Sequence, residues 1–392
     1  MPLGATLAGQ VVHIALERIV ESINSSPVTP EEPHAAVTGA SSVYAGLRAM
    51  GGISAVVETV IADTVNEHRN NPRLAPRLEE LGAELRRQVP TLRQRVQQFL
   101  SRVDLSGVHP TRTEPVGPTV ATLHRQPLPP GLHAEVPLFN QELGWYGKAD
   151  LLRIGIGADS PSDEIIDFKT GLPKPDHALQ LRIYALLWAR DRDLNPTGRR
   201  AQRLRVLYPA GAEDIAAPKT DDALAMVKDE LSARTAAALS LIAVHPAQAQ
   251  PSFDSCQWCD VRHMCSAYWA PTTRLAGNLI GAPTERLDAG VRILTRQSSW
   301  SWQARVEEVG AISDALQVGS KVLVRARPHD DHSGSLVDVG AHIRLLSAYS
   351  VAPSEESGGL QVLSLSRSTE AFIVASDGAN QRVGATSLSA DG

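Results

Sequence analysis

The sequence predicts an α/β core followed by a small all-β domain. Three observations carry that prediction. The first hundred residues place apolar side chains at helical spacing. From Leu132, short apolar runs bounded by turn residues take over, with one helical stretch among them. After Leu275 the chain becomes a series of short alternating runs with Gly, Ser and Asp between them.

Residues 5–24 form the first helix, with Leu7, Val11, Val12, Ala15, Leu16 and Ile19 as its apolar stripe. A polar, proline-bearing loop covers 25–40. Helices follow at 41–68 and 74–103, the second apolar at Leu78, Leu81, Leu85 and Val89 and broken or kinked by Pro90. Gly107–Pro130 reads as a linker. The segments HAEVPLF, WYGKADLLRI and EIIDFKT are β-type, Leu179–Arg190 is helical, RLRVLYPA is a strand, and Asp221–Val244 is a long Ala/Leu-rich helix. The β runs of the tail are GVRILTR, SWQARVEEV, GSKVLVRARP, AHIRLLSAYS, LQVLSLS and AFIVAS, with a disordered extreme C-terminus. The resulting division is 1–130 as a helical part, 131–270 as the core with the cysteines, and 275–392 as a barrel-like β domain.

Bulk properties narrow the function classes. With 392 residues, 43% hydrophobic and 21% charged, the composition is that of a soluble globular protein with room for two or three domains. The net charge of -5 gives no global attraction to nucleic acid, so any DNA contact must be a local basic patch. Aromatics at 4% argue against wide base-stacking platforms. There is no apolar run of the length a spanning helix needs, so no membrane partner is expected, and the N-terminus has Glu17 and Arg18 where a signal peptide would be apolar. Three cysteines between 256 and 265 suit a reducing compartment, the cytoplasm, and a metal site rather than disulfides.

The chemistry centres on Gly144–Tyr184. A hairpin joining Ala149–Ile154 to Glu164–Lys169 places Asp150 near Asp167. Two acids on adjacent strands favour Mg²⁺ or Mn²⁺, which take oxygen ligands and keep water positions open. Asp167 and Lys169 are two apart and share a strand face, so the ammonium stands beside the metal, where it orients water or stabilises charge on a phosphate. Gln180 and Tyr184, four apart, share a helix face.

These segments, GKADLL, EIIDFKTG and QLRIY, resemble the RecB-type branch of the PD-(D/E)xK nucleases, which includes the RecB and AddB nuclease domains and the CRISPR adaptation nucleases. The resemblance implies a restriction-endonuclease-like core, a mixed sheet flanked by helices. It implies metal binding at Asp150 and Asp167, a catalytic Lys169, and a Q-x-x-x-Y helix matched by Gln180 and Tyr184. The branch begins its site with a pattern like G-x-x-x-H-x-x-L-E, matched by Gly9, His13, Leu16 and Glu17, so His13 becomes the third metal ligand. His68, His124 and His133 are alternatives without those surroundings. An imidazole ligand shifts preference toward Mn²⁺.

The run SFDSCQWCDVRHMCSAYW spaces Cys256, Cys259 and Cys265 as C-x2-C-x5-C. It resembles the iron–sulphur staple of AddB-type nucleases, whose [4Fe–4S] cluster takes four cysteines, the fourth upstream of the histidine helix. Here the fourth is missing. Either an N-terminal segment has been lost or the cluster is degenerate; a Cys₃His zinc site with His263, or free structural cysteines, are the other readings.

DNA, as single strands or ends, is the expected partner. Arg199, Arg200, Arg203 and Arg205 form a basic run suited to phosphates, and Arg86, Arg87, Arg93 and Arg95 offer a strand path. The tail carries Arg286, Arg292, Arg296, Arg305, Lys321, Arg325, Arg327 and Arg344, with Trp300 and Trp302, as an OB- or SH3-like barrel binding single strands would. No G-x-x-x-x-G-K-[ST] occurs, so a helicase or a repair or defence complex would be a separate partner. The expected activity is a metal-dependent DNA nuclease, an exonuclease on single strands or ends; the alternative is a non-catalytic DNA-binding scaffold of a helicase–nuclease complex.

Overall fold

The computed structural model describes residues 3–25, 46–71, 74–103, 125–155, 163–245, 247–257, 259–273, 275, 286–313, 316–326, 338–366, 369–374 and 380–382. The loop at 25–40, most of the Gly107–Pro130 linker, His124, Arg327 and the final ten residues therefore lie outside the described residues. The chain divides into two compact units, Gly4–Leu239 and Ser240–Gly392 with Met1–Leu3. The cysteine segment, grouped by sequence with 131–270, belongs to the second. Among the described residues no helix is long and apolar enough to cross a membrane.

The first unit opens with α1 (Leu3–Ser25), whose stripe Val11, Val12, Ala15, Leu16 and Ile19 is buried as the spacing predicts. The helix expected at 41–68 is interrupted. Gly51 and Gly52 have φ of 77° and 88°, a left-handed turn that a helix cannot continue through, and α2 starts afresh at Ile53–Glu67. Helices α3 (Leu78–Arg87) and α4 (Val89–Leu100) replace the single helix at 74–103. Pro90 sits within the first turn of α4, where its missing N–H costs nothing.

The sheet runs β1 (Gly131–Asn140), β2 (Trp145–Ile154), β3 (Glu164–Phe168), β4 (Arg203–Tyr208) and β5 (Gly211–Ile215), in that spatial order. Neighbours are antiparallel except β3 and β4. A parallel pair needs a crossover, and α5 (Pro175–Arg190) supplies it. Leu181, Ala185, Leu187 and Trp188 of α5 pack on Val136, Leu138, Ala149, Leu152, Ile165, Leu204 and Val206 of the sheet. On the other side Phe99 of α4 meets Phe168 with ring centroids 5.2 Å apart. The mixed sheet flanked by helices is thus in place. Strand β5 carries only partly buried and exposed side chains, so its GAEDI sequence has no apolar alternation to announce it. Helix α6 (Asp221–Ile242) buries Leu224, Val227 and Leu231 against Leu186 and Ala189 of α5.

In the second unit, short helices α7 (Phe253–Cys256) and α8 (Ser266–Trp269) bracket the cysteines. Strands β6 (Arg286–Ser298), β7 (Ser301–Val309), β8 (Lys321–Arg325), β9 (His342–Val351), β10 (Gln361–Ser364), β11 (Glu370–Val374) and β12 (Asn380–Arg382) follow. β10 pairs with both β8 and β9, which closes β6-β7-β8-β10-β9 into a five-stranded barrel. Val291, Ile293, Trp302, Val306, Val322, Val324, Leu345 and Leu363 fill it.

Candidate active site

The β1–β2 hairpin is not regular, and its irregularity makes the site. Ala149 and Leu152 both pack on the α5 side, although three residues apart on a strand face opposite ways. The pleat breaks between them, at Asp150. Opposite lies Glu135, flanked by the pairs Ala134↔Leu151 and Val136↔Ala149, with a φ of 50°. This positive φ for a glutamate is strained backbone, of the kind that gathers at functional sites.

The break brings together what the sequence separates. The ligand atoms of His13, Glu135 and Asp150 all lie within 4.8 Å of one another, close enough to share one metal ion. His13 Nδ1 is 3.5 Å from Asp150 Oδ2, which also accepts the Phe168 N–H at 2.7 Å. Glu135 holds the Lys148 ammonium in an ion pair. Glu135 was not foreseen. The sequence HAEVPLF shows it as one acid on a strand, and only the register opposite Asp150 gives it a role.

Asp167 follows Leu151↔Ile166 in register, beside Asp150, and is 1% exposed. Lys169 Nζ pairs with its Oδ2 at 2.7 Å, and no other donor reaches either carboxylate oxygen. Burial first, then the charge of Asp150, raise its pKa to about 6 against the pull of Lys169 and His13. For His13, burial works against the charged form, but the hydrogen bond and charge of Asp150, with Glu135 and Asp167, outweigh it and raise the pKa. An under-satisfied buried carboxylate beside three convergent ligand atoms fits a divalent cation held by oxygen and imidazole.

Gln180 Nε2 donates to Tyr184 Oη at 2.7 Å, as their spacing predicts. Burial pushes the Tyr184 phenol up to about 12, so it remains a proton donor. Gly147 makes room for it. A Cβ there would stand 2.9 Å from Tyr184 Cε1 and 3.0 Å from Leu187 Cδ1. Gly9 serves α1 likewise, since a Cβ would meet Thr170 Oγ1 at 3.0 Å. The alternative histidines are elsewhere: His68 faces Gln10 and His133 faces the Pro129 carbonyl.

The basic run beside the core is largely committed within the fold. Arg199 pairs with Asp163, Arg200 with Asp221, and Arg205 with Glu164. Glu164 is fully buried and also meets Arg153 at 3.2 Å and Arg203 at 3.8 Å. Arg199 and Arg205 neutralise buried acids at the start of β3, while Arg200 meets an exposed acid on α6 and Arg203 stays about half exposed. Arg86, Arg87 and Arg93 are exposed on their helices.

In the second unit no three of the thiols and His263 bring their donor atoms within 4.8 Å of one another, the spacing a single ion such as zinc needs, and His263 stacks on Phe372 at 3.8 Å. The segment is held instead by Arg262 Nε to Asp288 Oδ2 at 2.8 Å and Tyr268 Oη to the same oxygen at 2.7 Å. Trp302 is core, while Trp300 sits partly exposed at the β6–β7 turn. On the barrel's outer face Arg292, Arg305 and Lys321 stand in register across β6, β7 and β8.

A family model described as the PD-(D/E)XK nuclease superfamily matches residues 3–266. No curated protein matches the chain significantly.

Proposed function

The chain belongs to the PD-(D/E)XK nuclease superfamily, and from that membership we propose that it is a divalent-metal-dependent deoxyribonuclease of the RecB/AddB-like kind, working on single strands or DNA ends. The observation that carries the reading is the convergence of His13, Glu135 and Asp150 beside a buried Asp167 whose oxygens no donor but Lys169 reaches.

Those four residues would hold Mg²⁺ or Mn²⁺. When bound, the cation supplies a water of lowered pKa and offsets charge at the scissile phosphate. The chain's own groups do the rest. Lys169, fixed by Asp167, presents its ammonium to the attacking water or to a phosphoryl oxygen on which charge grows. Tyr184, oriented by Gln180 and protonated at neutral pH, donates its hydroxyl proton to a phosphate oxygen. On the barrel Arg305 and Lys321 are direct cross-strand partners, and an anion between them would offset the cost of opposing like charges, whereas Arg292 is already held by Glu307.

The test is Mn²⁺-dependent degradation of end-labelled single-stranded DNA by the wild type and by Lys169→Ala. Cleavage by the first and not the second is expected, and the label's position gives the polarity. A wild type that binds DNA but never cuts with any divalent metal would make the chain a scaffold.

A further inference from the structure

Two aromatic rings stand in solvent on the hairpin that carries the metal-ligating carboxylates, and the cleavage reading does not use them. Phe139 and Tyr146 are direct cross-strand partners next to the β1–β2 turn. They are 41% and 61% exposed. Side chains of direct cross-strand partners lie on the same face of the sheet, so the rings form one apolar surface rather than two scattered ones. Leu138, Gly147 and Ala149, on the opposite phase of the two strands, face the other way, toward α5. Pro137 and Lys148, also cross-strand partners, share the rings' face.

The position of the pair relative to the site gives it a meaning. Tyr146 lies four residues from Asp150, about 14 Å along an extended strand. Lys148 lies midway, its ammonium in contact with Glu135. Along one hairpin the order is therefore metal-ligating carboxylates, then an ammonium, then an aromatic pair. The hairpin end is also fixed. Phe139 N–H donates to the buried Asp191 Oδ2 at 3.0 Å, and Leu143 N–H donates to Asn140 Oδ1 at 2.8 Å.

We propose that Phe139 and Tyr146 are a stacking platform for unpaired bases of the strand that threads from the metal site, with Lys148 beside an intervening phosphate. The proposal rests on the nuclease reading and adds the residues that hold the strand's unpaired bases. Every base offers a π face, so stacking on such rings tolerates sequence. Inside a duplex those faces are already covered by neighbouring bases. A platform this close to the carboxylates thus selects a single-stranded or frayed segment over an intact duplex.

Fluorescence anisotropy on the full chain in calcium tests this, with labelled oligothymidine and a blunt duplex of equal length. Wild type is compared with Phe139→Ala, Tyr146→Ala, Tyr146→Phe and Tyr146→Leu. Each alanine variant is expected to bind oligothymidine roughly tenfold more weakly. Tyr146→Phe keeps the wild-type affinity, Tyr146→Leu binds as poorly as alanine because it keeps apolar bulk without a π face, and duplex affinity is unchanged throughout. Equal oligothymidine affinity across the series, or no oligothymidine binding by wild type, overturns the proposal. So does a wild-type dimer in light scattering that the alanine variants dissociate without a change in oligonucleotide affinity, since the pair would then be a contact between copies. Cleavage in manganese on the same preparations separates the two readings. Ring-dependent binding without any cleavage refutes the nuclease and leaves the platform, whereas cleavage with ring-independent binding refutes the platform alone.

Discussion

Two buried aspartates, one in each unit, have similar company and opposite circumstances. Asp288 is 2% exposed and accepts from Arg262, Tyr268 and the Ser347 N–H, at 2.8, 2.7 and 2.7 Å. Its own N–H donates to Ser313 Oγ at 2.8 Å. Asp167 is 1% exposed, with the Gln180–Tyr184 pair on the neighbouring helix, yet no donor but Lys169 reaches its oxygens. A buried carboxylate with every partner in place is a structural joint. One left short of partners, next to other ligating groups, is a place where something else binds. The difference separates a clasp from the proposed catalytic centre in the same chain.

The sharpest break in that comparison comes from the cations. Lys169→Ala is expected to lower the rate of Mn²⁺-dependent cleavage by roughly 10²–10³-fold, the scale of losing one charged donor at a developing charge. Arg262→Ala acts on stability instead. It leaves Asp288 charged and buried without its ion-pair partner, so the second unit loses about 3–5 kcal/mol in denaturant unfolding. If Arg262→Ala melts like wild type, the clasp reading is wrong.

The aspartates themselves give the next effect. Asp167 is held at a pKa of about 6, above the carboxylate's ordinary value, so its protonated form is the one the fold prefers. The stability associated with it is full below about pH 4 and is lost as pH rises through about 6. Asp167→Asn should therefore stabilise the metal-free protein at pH 7 by about 1–3 kcal/mol while abolishing cleavage. It should also flatten the fall in stability between pH 4 and 7. Asp288→Asn should destabilise. Urea melts of both variants at pH 4.5 and 7 check the opposite signs.

Much of this was legible in the sequence, and the reasons are physical. Lys169 two residues after Asp167, and Tyr184 four after Gln180, are fixed by strand and helix periods, so their shared faces could be read directly. His13 was singled out by the resemblance of Gly9, His13, Leu16 and Glu17 to a G-x-x-x-H-x-x-L-E pattern, not by periodicity. Glu135 was not legible. Its role depends on register across a hairpin and on a pleat broken at Asp150, and neither leaves a periodic trace. The ion pairs of Arg199 and Arg205 were not legible for a related reason. Their partners Asp163 and Glu164 are buried acids some forty residues earlier, and charge counted along the chain cannot pair them. The Gly51–Gly52 break was visible as two glycines, but helical spacing on either side hid it. The cysteine spacing suggested a cluster, whereas the residue that fastens that segment is Arg262, inconspicuous among them.

Metal binding offers the smallest effect and a separate handle on the comparison. A cation held by Asp167 and His13 needs the first ionised and the second neutral, and both pKa values are raised in the metal-free protein. Protons therefore compete with the metal across the near-neutral range. Affinity for Mn²⁺ should weaken by at least about tenfold for each pH unit lost below 6, since one pKa unit corresponds to about 1.4 kcal/mol. Titration calorimetry in buffers of different ionisation enthalpy should detect the released protons near pH 6. In Asp167→Asn the part owed to the carboxylate disappears and the part owed to His13 remains. Asp288 does not meet the metal, so Asp288→Asn should leave the pH dependence of binding as it is in wild type. A slope that vanished with Asp288 instead would place the binding carboxylate in the wrong unit, and with it the centre of the chemistry.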